Sequence, residues 1–266
     1  MADRWRDSVV VITGGSRGIG KAVALAAAKR GARLGLIARS KDELDAVLAE
    51  AGGNGAVAAA DITDRGTVDD AIESIARALG PVDILVNNAG AGAYSAFMQT
   101  DVDVFERLMR LNYFGTVYAT KAVLPSMVKR GRGHVVNISS VAGRIGTPFE
   151  SAYSASKFAV TALTEALDIE LRPLGVKVSM VNPGPVETEF FDTRGVPYAR
   201  KSPKPVPAEQ VAKAVLAAVD RGRREQAVPR RLGGAVVLGH LVPPLLRWGT
   251  AQAFKNEVRE GPAARS

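Results

Sequence analysis

Tyr153 and Lys157 stand four residues apart in YSASK, a run of small residues that contains no helix breaker. On a helix, positions i and i+4 share a face, so a phenol and an ammonium would emerge side by side. An unperturbed phenol is too weak an acid to exchange protons readily near neutral pH, but a neighbouring cation favours phenolate and lowers its pKa. Such a pair suits proton transfer. A pair of this kind alone is an ordinary feature of amphipathic helices, so its chemistry depends on what else the chain brings to it.

A second group with chemical potential is TGGSRGIG, Thr13 to Gly20, which follows an apolar β-branched run and opens a helix-like one. In that setting a glycine turn lets backbone amides approach a pyrophosphate at the positive end of a helix. Gly14, Ser16, Arg17, Gly18, Ile19 and Gly20 are therefore expected to hold a dinucleotide. At the end of the next strand an acidic residue would bond the ribose 2′-hydroxyl of NAD. The chain instead reads Ala38-Arg39-Ser40. Arg39, with Arg17, would neutralise a 2′-phosphate, which predicts NADP(H); the alternative is a pair of exposed surface arginines. With a hydride donor in place, reducing a ketone also requires an acid near the developing alkoxide, and Tyr153 meets that need, with Lys157 and the positive charge of the oxidised nicotinamide together expected to lower its pKa.

The elements that must position these groups can be read from the same chain. Short runs rich in β-branched residues recur at 9–13, 33–38, 56–61, 83–88, 134–139 and 176–182, with helix-like segments between them and a further short strand expected at 226–228. That alternation predicts a single doubly wound (Rossmann) α/β domain, a predominantly parallel seven-stranded sheet with helices on both faces. Ser40 with Glu43 suggests a capping box, Gly31 a helix end after Arg30, and Gly80-Pro81 a stop after Leu79. Pro183 to Pro207, rich in proline, glycine and charge, follows a strand end where such sheets place ligands, and is expected to form a lid. The apolar stretch from Leu232 opens a C-terminal extension to Ser266. It is short and broken by His240 and Pro243-Pro244, so it is expected to pack in a subunit or pocket wall rather than span or lie on a membrane.

Composition narrows the chemistry further. Among 266 residues there is no cysteine and only two histidines, His134 and His240, which excludes disulfides and thiol catalysis and leaves any metal site dependent on carboxylates; no metal is expected. Both histidines are expected to be structural. The start, MADRWRDS, is charged and unlike a secretory signal, which points to the cytoplasm. The net charge of +8 favours anionic partners, with basic clusters at Ala199–Lys204 and Asp220–Arg224. They lack interleaved aromatics, so a solvated basic surface is expected rather than a nucleic-acid site.

Taken in order along the chain, the motifs resemble those of the short-chain dehydrogenase/reductase family, from about Val9 to Val228. TGGSRGIG resembles its cofactor loop, Asp61 and Ile62 its residues near the adenine, and NNAG its motif after the fourth strand, with Asn88, Ala89 and Gly90 facing the cofactor. LNYFG resembles its helix asparagine, at Asn112. NPGPVET resembles its nicotinamide-side segment, at Pro183, Gly184 and Thr188. Ser140, Tyr153 and Lys157 fit its catalytic spacing. The resemblance implies that Ser140 bonds the substrate oxygen, that Lys157 also donates to the nicotinamide ribose, and that Asn112 holds a water in a proton relay to Lys157. Ser139 is the rival to Ser140, but is expected to point to the opposite side if the strand persists. It also implies a homodimer or homotetramer through the helices of Asn112 and Tyr153.

The expected activity is interconversion of a hydrophobic ketone, or a 3-oxoacyl group, with a secondary alcohol. The expected pocket wall spans 91–98, 141–149 and 186–198 and includes Tyr94, Phe97, Met98, Phe149, Phe190 and Phe191. A dinucleotide-sensing regulator on the same fold is the alternative from a different class, and it would have no need of a proton donor. A membrane-associated lipid reductase is another, suggested by the apolar tail and the late basic segments.

Overall fold

The computed structural model of the protein describes residues 4–198 and 203–260. Its strands and helices alternate through most of the chain: β1 (Val9–Thr13), α1 (Gly18–Ala28), β2 (Arg33–Ala38), α2 (Lys41–Glu50), β3 (Gly55–Ala59), α3 (Arg65–Leu79) and β4 (Ile84–Asn87). Then come α4 (Val102–Leu108), a π-helical stretch (Met109–Phe114), α5 (Gly115–Lys129), β5 (Gly133–Ile138), α6 (Ser151–Leu171) and β6 (Val176–Pro183). The chain continues through β7 (Val186–Glu187), α7 (Phe190–Thr193), β8 (Val206–Pro207), α8 (Ala208–Arg221), β9 (Glu225–Val228), α9 (Arg230–Leu241) and α10 (Pro243–Glu260).

The main sheet has seven strands in the order β3-β2-β1-β4-β5-β6-β9, and every pairing in it is parallel. The period of two is visible in β1. Val10 and Ile12 join the core beneath α1, α2 and α8, while Val9 and Val11 join the one beneath α3 and α5. Burial on both faces accounts for the nearly continuous apolar strands. The order reverses between β1, which continues to β2, and its other neighbour β4, so a crevice opens beyond the carboxyl ends of these strands.

Local signals act as their residues predict. Ser40 caps α2 by accepting from the Glu43 amide, and Gly31 and Gly80 take φ of +80° and +92° at helix ends. The segment from Pro183 to Pro207 is tied at its base, because β7 pairs with β8 in a separate two-stranded sheet. Ala199–Ser202, part of both the expected lid and a basic cluster, and 261–266 of the C-terminal extension lie outside the described residues.

Candidate active site

The crevice is a cavity of about 1290 Å³. Its glycine-loop side is shaped by the backbone. Gly14 turns with φ +65°, and a Cβ on Gly20 would lie 2.1 Å from the Gly14 carbonyl oxygen, so α1 can approach the turn only through glycine. Asn88 braces the loop from β4 by donating to the carbonyls of Thr13 and Gly14, at 3.1 and 3.0 Å. Ser16, Arg17, Gly18 and Ile19 line the cavity together with the start of α1. Arg39 lines it at the end of β2, and its charge adds to the forces that lower the pKa of Asp61; the largest of these is the Thr63 amide donated to that carboxylate at 2.9 Å. Ile62, Ala89, Gly90, Pro183, Gly184 and Thr188 line the same space. The cradle, the helix start and the two cations fit a dinucleotide phosphate group.

Ser140, Tyr153 and Lys157 converge on the cavity floor. Tyr153 and Lys157 lie one turn apart on α6, both buried, with the ammonium 5.9 Å from the phenol ring centre. Ser140 lies just past β5, accepts from the Ala142 amide at 3.1 Å and shares a hydrogen bond with Tyr153. Ser139 also lines the cavity, but its hydroxyl donates to the Lys157 carbonyl at 3.1 Å.

In the protein alone, burial dominates the electrostatics of this pair. Burial pushes the Tyr153 phenol well above its ordinary value, outweighing the Ser140 hydrogen bond that lowers it, and burial pushes Lys157 down to about 8. Lys157 Nζ donates to the Ile138 carbonyl at 2.9 Å. The protein alone therefore holds the phenol protonated instead of activating it toward phenolate.

Asn112 lies on the π-helical stretch, a feature its sequence did not announce. Its side chain accepts from the Ala91 amide at 2.9 Å, and donates to the Ala91 carbonyl at 2.9 Å and to Ser156 Oγ at 2.8 Å. Ser156 in turn donates to the Tyr153 carbonyl at 2.7 Å. This chain of bonds fixes the loop after β4 to the turn of α6 that carries the phenol, so Ser156 joins the site as a positioning residue. Gly90 fits between Asn112 and Lys157, since a Cβ there would lie 2.9 Å from Asn112 Oδ1 and 3.5 Å from Lys157 Nζ. Asn87, the first residue of NNAG, serves the sheet instead, bonding Thr120 and Asn137.

The other side of the cavity is shaped by side chains. Tyr94, Phe190 and Phe191 line it as expected, whereas Phe97 and Met98 are 67% and 91% exposed and do not. Phe149 stands behind this wall, 5.6 Å from the Tyr94 ring and 6.4 Å from that of Phe254. Its φ of +65° is costly for a bulky residue, and the Ser95 amide holds its carbonyl at 2.8 Å. Two contributions have no local sequence signal. Arg194 ion-pairs with Glu150 at 2.5 Å and lies over the rings of Tyr94 and Phe191. From α10, Phe254 and Glu257 reach the cavity, and Glu257 accepts a hydrogen bond from the Tyr94 hydroxyl.

His134 lies within the sheet, bonded to Ser179 at 2.7 Å and pushed down to about 3 by burial; the side chain of His240 lies outside the described residues. Among the described residues no acid and histidine cluster could hold a metal ion, and no helix is long and apolar enough to cross a membrane.

Comparison with known proteins agrees with this architecture. The family model for short chain dehydrogenase matches residues 8–196. Dehydrogenase/reductase SDR family member 7B of Xenopus tropicalis is 38% identical over 95% of this chain and 87% of its own length. The mouse protein of that name is 40% identical over 70% of this chain, which spans only 59% of the mouse protein's length. Bovine 3-ketodihydrosphingosine reductase is 38% identical over 78% of this chain and 67% of its own. An alcohol dehydrogenase of Thermococcus sibiricus, complexed with 5-hydroxy-NADP, superposes with a TM-score of 0.75 at 28% identity, covering 83% of this chain and 95% of that one. A Burkholderia phymatum short chain dehydrogenase/reductase in complex with NAD gives 0.83 at 26% identity, covering 92% and 96%. On its sequence and its architecture alike, this chain belongs to the short chain dehydrogenase family of oxidoreductases.

Proposed function

We propose that the protein is an NADP(H)-dependent oxidoreductase that interconverts a hydrophobic ketone and its secondary alcohol. The observation that carries this reading is the convergence of Ser140, Tyr153 and Lys157 on the floor of a cavity whose other end is a dinucleotide cradle. The bound dinucleotide supplies or accepts hydride at the substrate carbon. Tyr153, kept protonated by burial, gives its proton to the carbonyl oxygen in the reductive direction. Ser140 hydrogen-bonds that oxygen as charge develops on it. Lys157 holds the ribose of the nicotinamide side and contributes its charge, Asn112 and Ser156 hold the phenol in register, and Asn112 holds the water of a proton relay to Lys157.

Arg17 and Arg39 support the choice of NADP(H). Both line the cradle and are exposed, and no carboxylate ends β2, so a 2′-phosphate finds cations where a 2′-hydroxyl would find no acceptor. The ring-lined wall supports an apolar substrate, and the bovine relative is named for reducing a ketone, 3-ketodihydrosphingosine. The described part of the segment after β6, which brings Phe190, Phe191 and Arg194 to the cavity, supports reading it as a lid over the substrate. Phe114, Phe158 and Ile169, exposed beside Asn112 and along α6, support a homodimer or homotetramer contact; light scattering that finds only a 28.0 kDa species would oppose it.

The test is NADPH oxidation, followed by absorbance, with a panel of hydrophobic ketones and 3-oxoacyl thioesters, and with NADH in parallel. Turnover of at least one ketone, faster with NADPH than with NADH, is the expected result. A protein that binds NADPH and reduces no member of the panel would count against the reading.

A further inference from the structure

The helix pair α9–α10 has two unlike sides. Toward the body of the protein, Val236 and Phe254 are buried, and Phe254 and Glu257 close the cavity. Away from it the chain turns through Leu241, Val242, Pro243, Pro244 and Leu245, five consecutive apolar residues that are all exposed, followed by exposed Trp248. Leu241 is 75% exposed, Leu245 50% and Trp248 63%. Water solvates such a run poorly, and exposed apolar residues gathered at one tip mark an interaction surface.

Charge and area decide what covers it. From Arg230 to Asn256 the chain contains no acidic residue, but it carries Arg230, Arg231, Arg247 and Lys255. The three arginines are exposed. A second copy of the chain would bring like charge to the same face, and a stable dimer needs about 20–30 residues per partner, whereas this tip runs only from Leu241 to Trp248. An apolar tip with a tryptophan, with Arg247 beside it and no acid on either helix before Glu257, matches the boundary between the headgroups and acyl chains of an anionic bilayer.

We propose that the tip from Leu241 to Trp248 docks the protein on the surface of an anionic membrane. Leu241, Val242, Leu245 and Trp248 enter the headgroup boundary while Arg247 meets lipid phosphates. No span is formed. Because α10 also carries Phe254 and Glu257 into the cavity, docking brings the aromatic wall to the place where water-insoluble ketones concentrate. This last consequence rests on the proposed ketone chemistry, but the docking does not.

The test is flotation of the full chain with phosphatidylcholine vesicles, with and without phosphatidylglycerol, compared with a double variant carrying Leu245→Asp and Trp248→Asp. Neither residue lines the cavity, so thermal melting and NADPH binding should match the parent and separate a docking defect from misfolding. Binding to the anionic vesicles should weaken in high salt and fall roughly fivefold for Arg247→Gln. The double variant should remain in the unbound fraction. The proposal is overturned if the parent fails to float on phosphatidylglycerol vesicles at low salt, or if the double variant floats equally well. It is likewise overturned if light scattering shows the parent dimerising through this tip without floating.

Discussion

The glycine-loop side of the cavity and its aromatic side differ in what gives them shape. On the first, main-chain atoms approach so closely that a single methyl group on Gly20 would collide with the Gly14 carbonyl. On the second, Tyr94, Phe190, Arg194, Phe254 and Glu257 meet across large separations, reaching 163 residues between Tyr94 and Glu257. A shape set by backbone admits few residue types and tolerates little change. One set by side chains can be recut without disturbing the other half, and this is how one fold serves many substrates.

Substitutions on the two sides should therefore have separable effects. Gly20→Ala places a Cβ 2.1 Å from a backbone oxygen, so the turn must shift, and NADPH binding followed by fluorescence should weaken roughly hundredfold. Arg39→Asp should cost NADPH roughly 10–100-fold in affinity and improve NADH, the scale of a lost charge-assisted pair. On the aromatic side, Phe254→Ala should raise KM for a hydrophobic ketone roughly tenfold while leaving the NADPH Kd unchanged. If it weakened NADPH as much as Gly20→Ala does, the two sides would not be separable.

The smallest expected effect lies where the sides meet, at Lys157. Burial lowers its pKa from 10.5 to about 8, so its ammonium is present below that pH and lost above it. The kcat/KM for reduction, which reports the free enzyme, should be halved near pH 8 and keep falling above it. Lys157→Arg should move that limb to higher pH.

The same contrast explains what could be read from the sequence. TGGSRGIG and YSASK are local, and the backbone or helix geometry that their residues require is encoded within eight residues and five. Ser140 is separable from Ser139 chiefly by its spacing from Tyr153, which fits the resemblance, since β5 ends at Ile138 before either serine. The parallel sheet was legible from its doubly buried strands. Less visible were the Arg194–Glu150 pair, the bonds from Asn112 through Ser156 to the Tyr153 backbone, and the reach of α10 into the cavity, all of which depend on tertiary packing between distant segments. The burial of Tyr153, which raises its pKa in the protein alone, is likewise invisible in the spacing.

The central claim is that Tyr153 is the proton donor for ketone reduction with NADPH, and Tyr153→Phe tests it with the loss of one oxygen atom. NADPH oxidation by the parent and the variant should be compared on the best ketone of the panel, with NADPH affinity measured for both. The account predicts a loss of kcat of roughly 10²–10⁴-fold with NADPH affinity unchanged. Turnover by the variant at the parent rate would contradict it, and would move the proton donor elsewhere in the cavity.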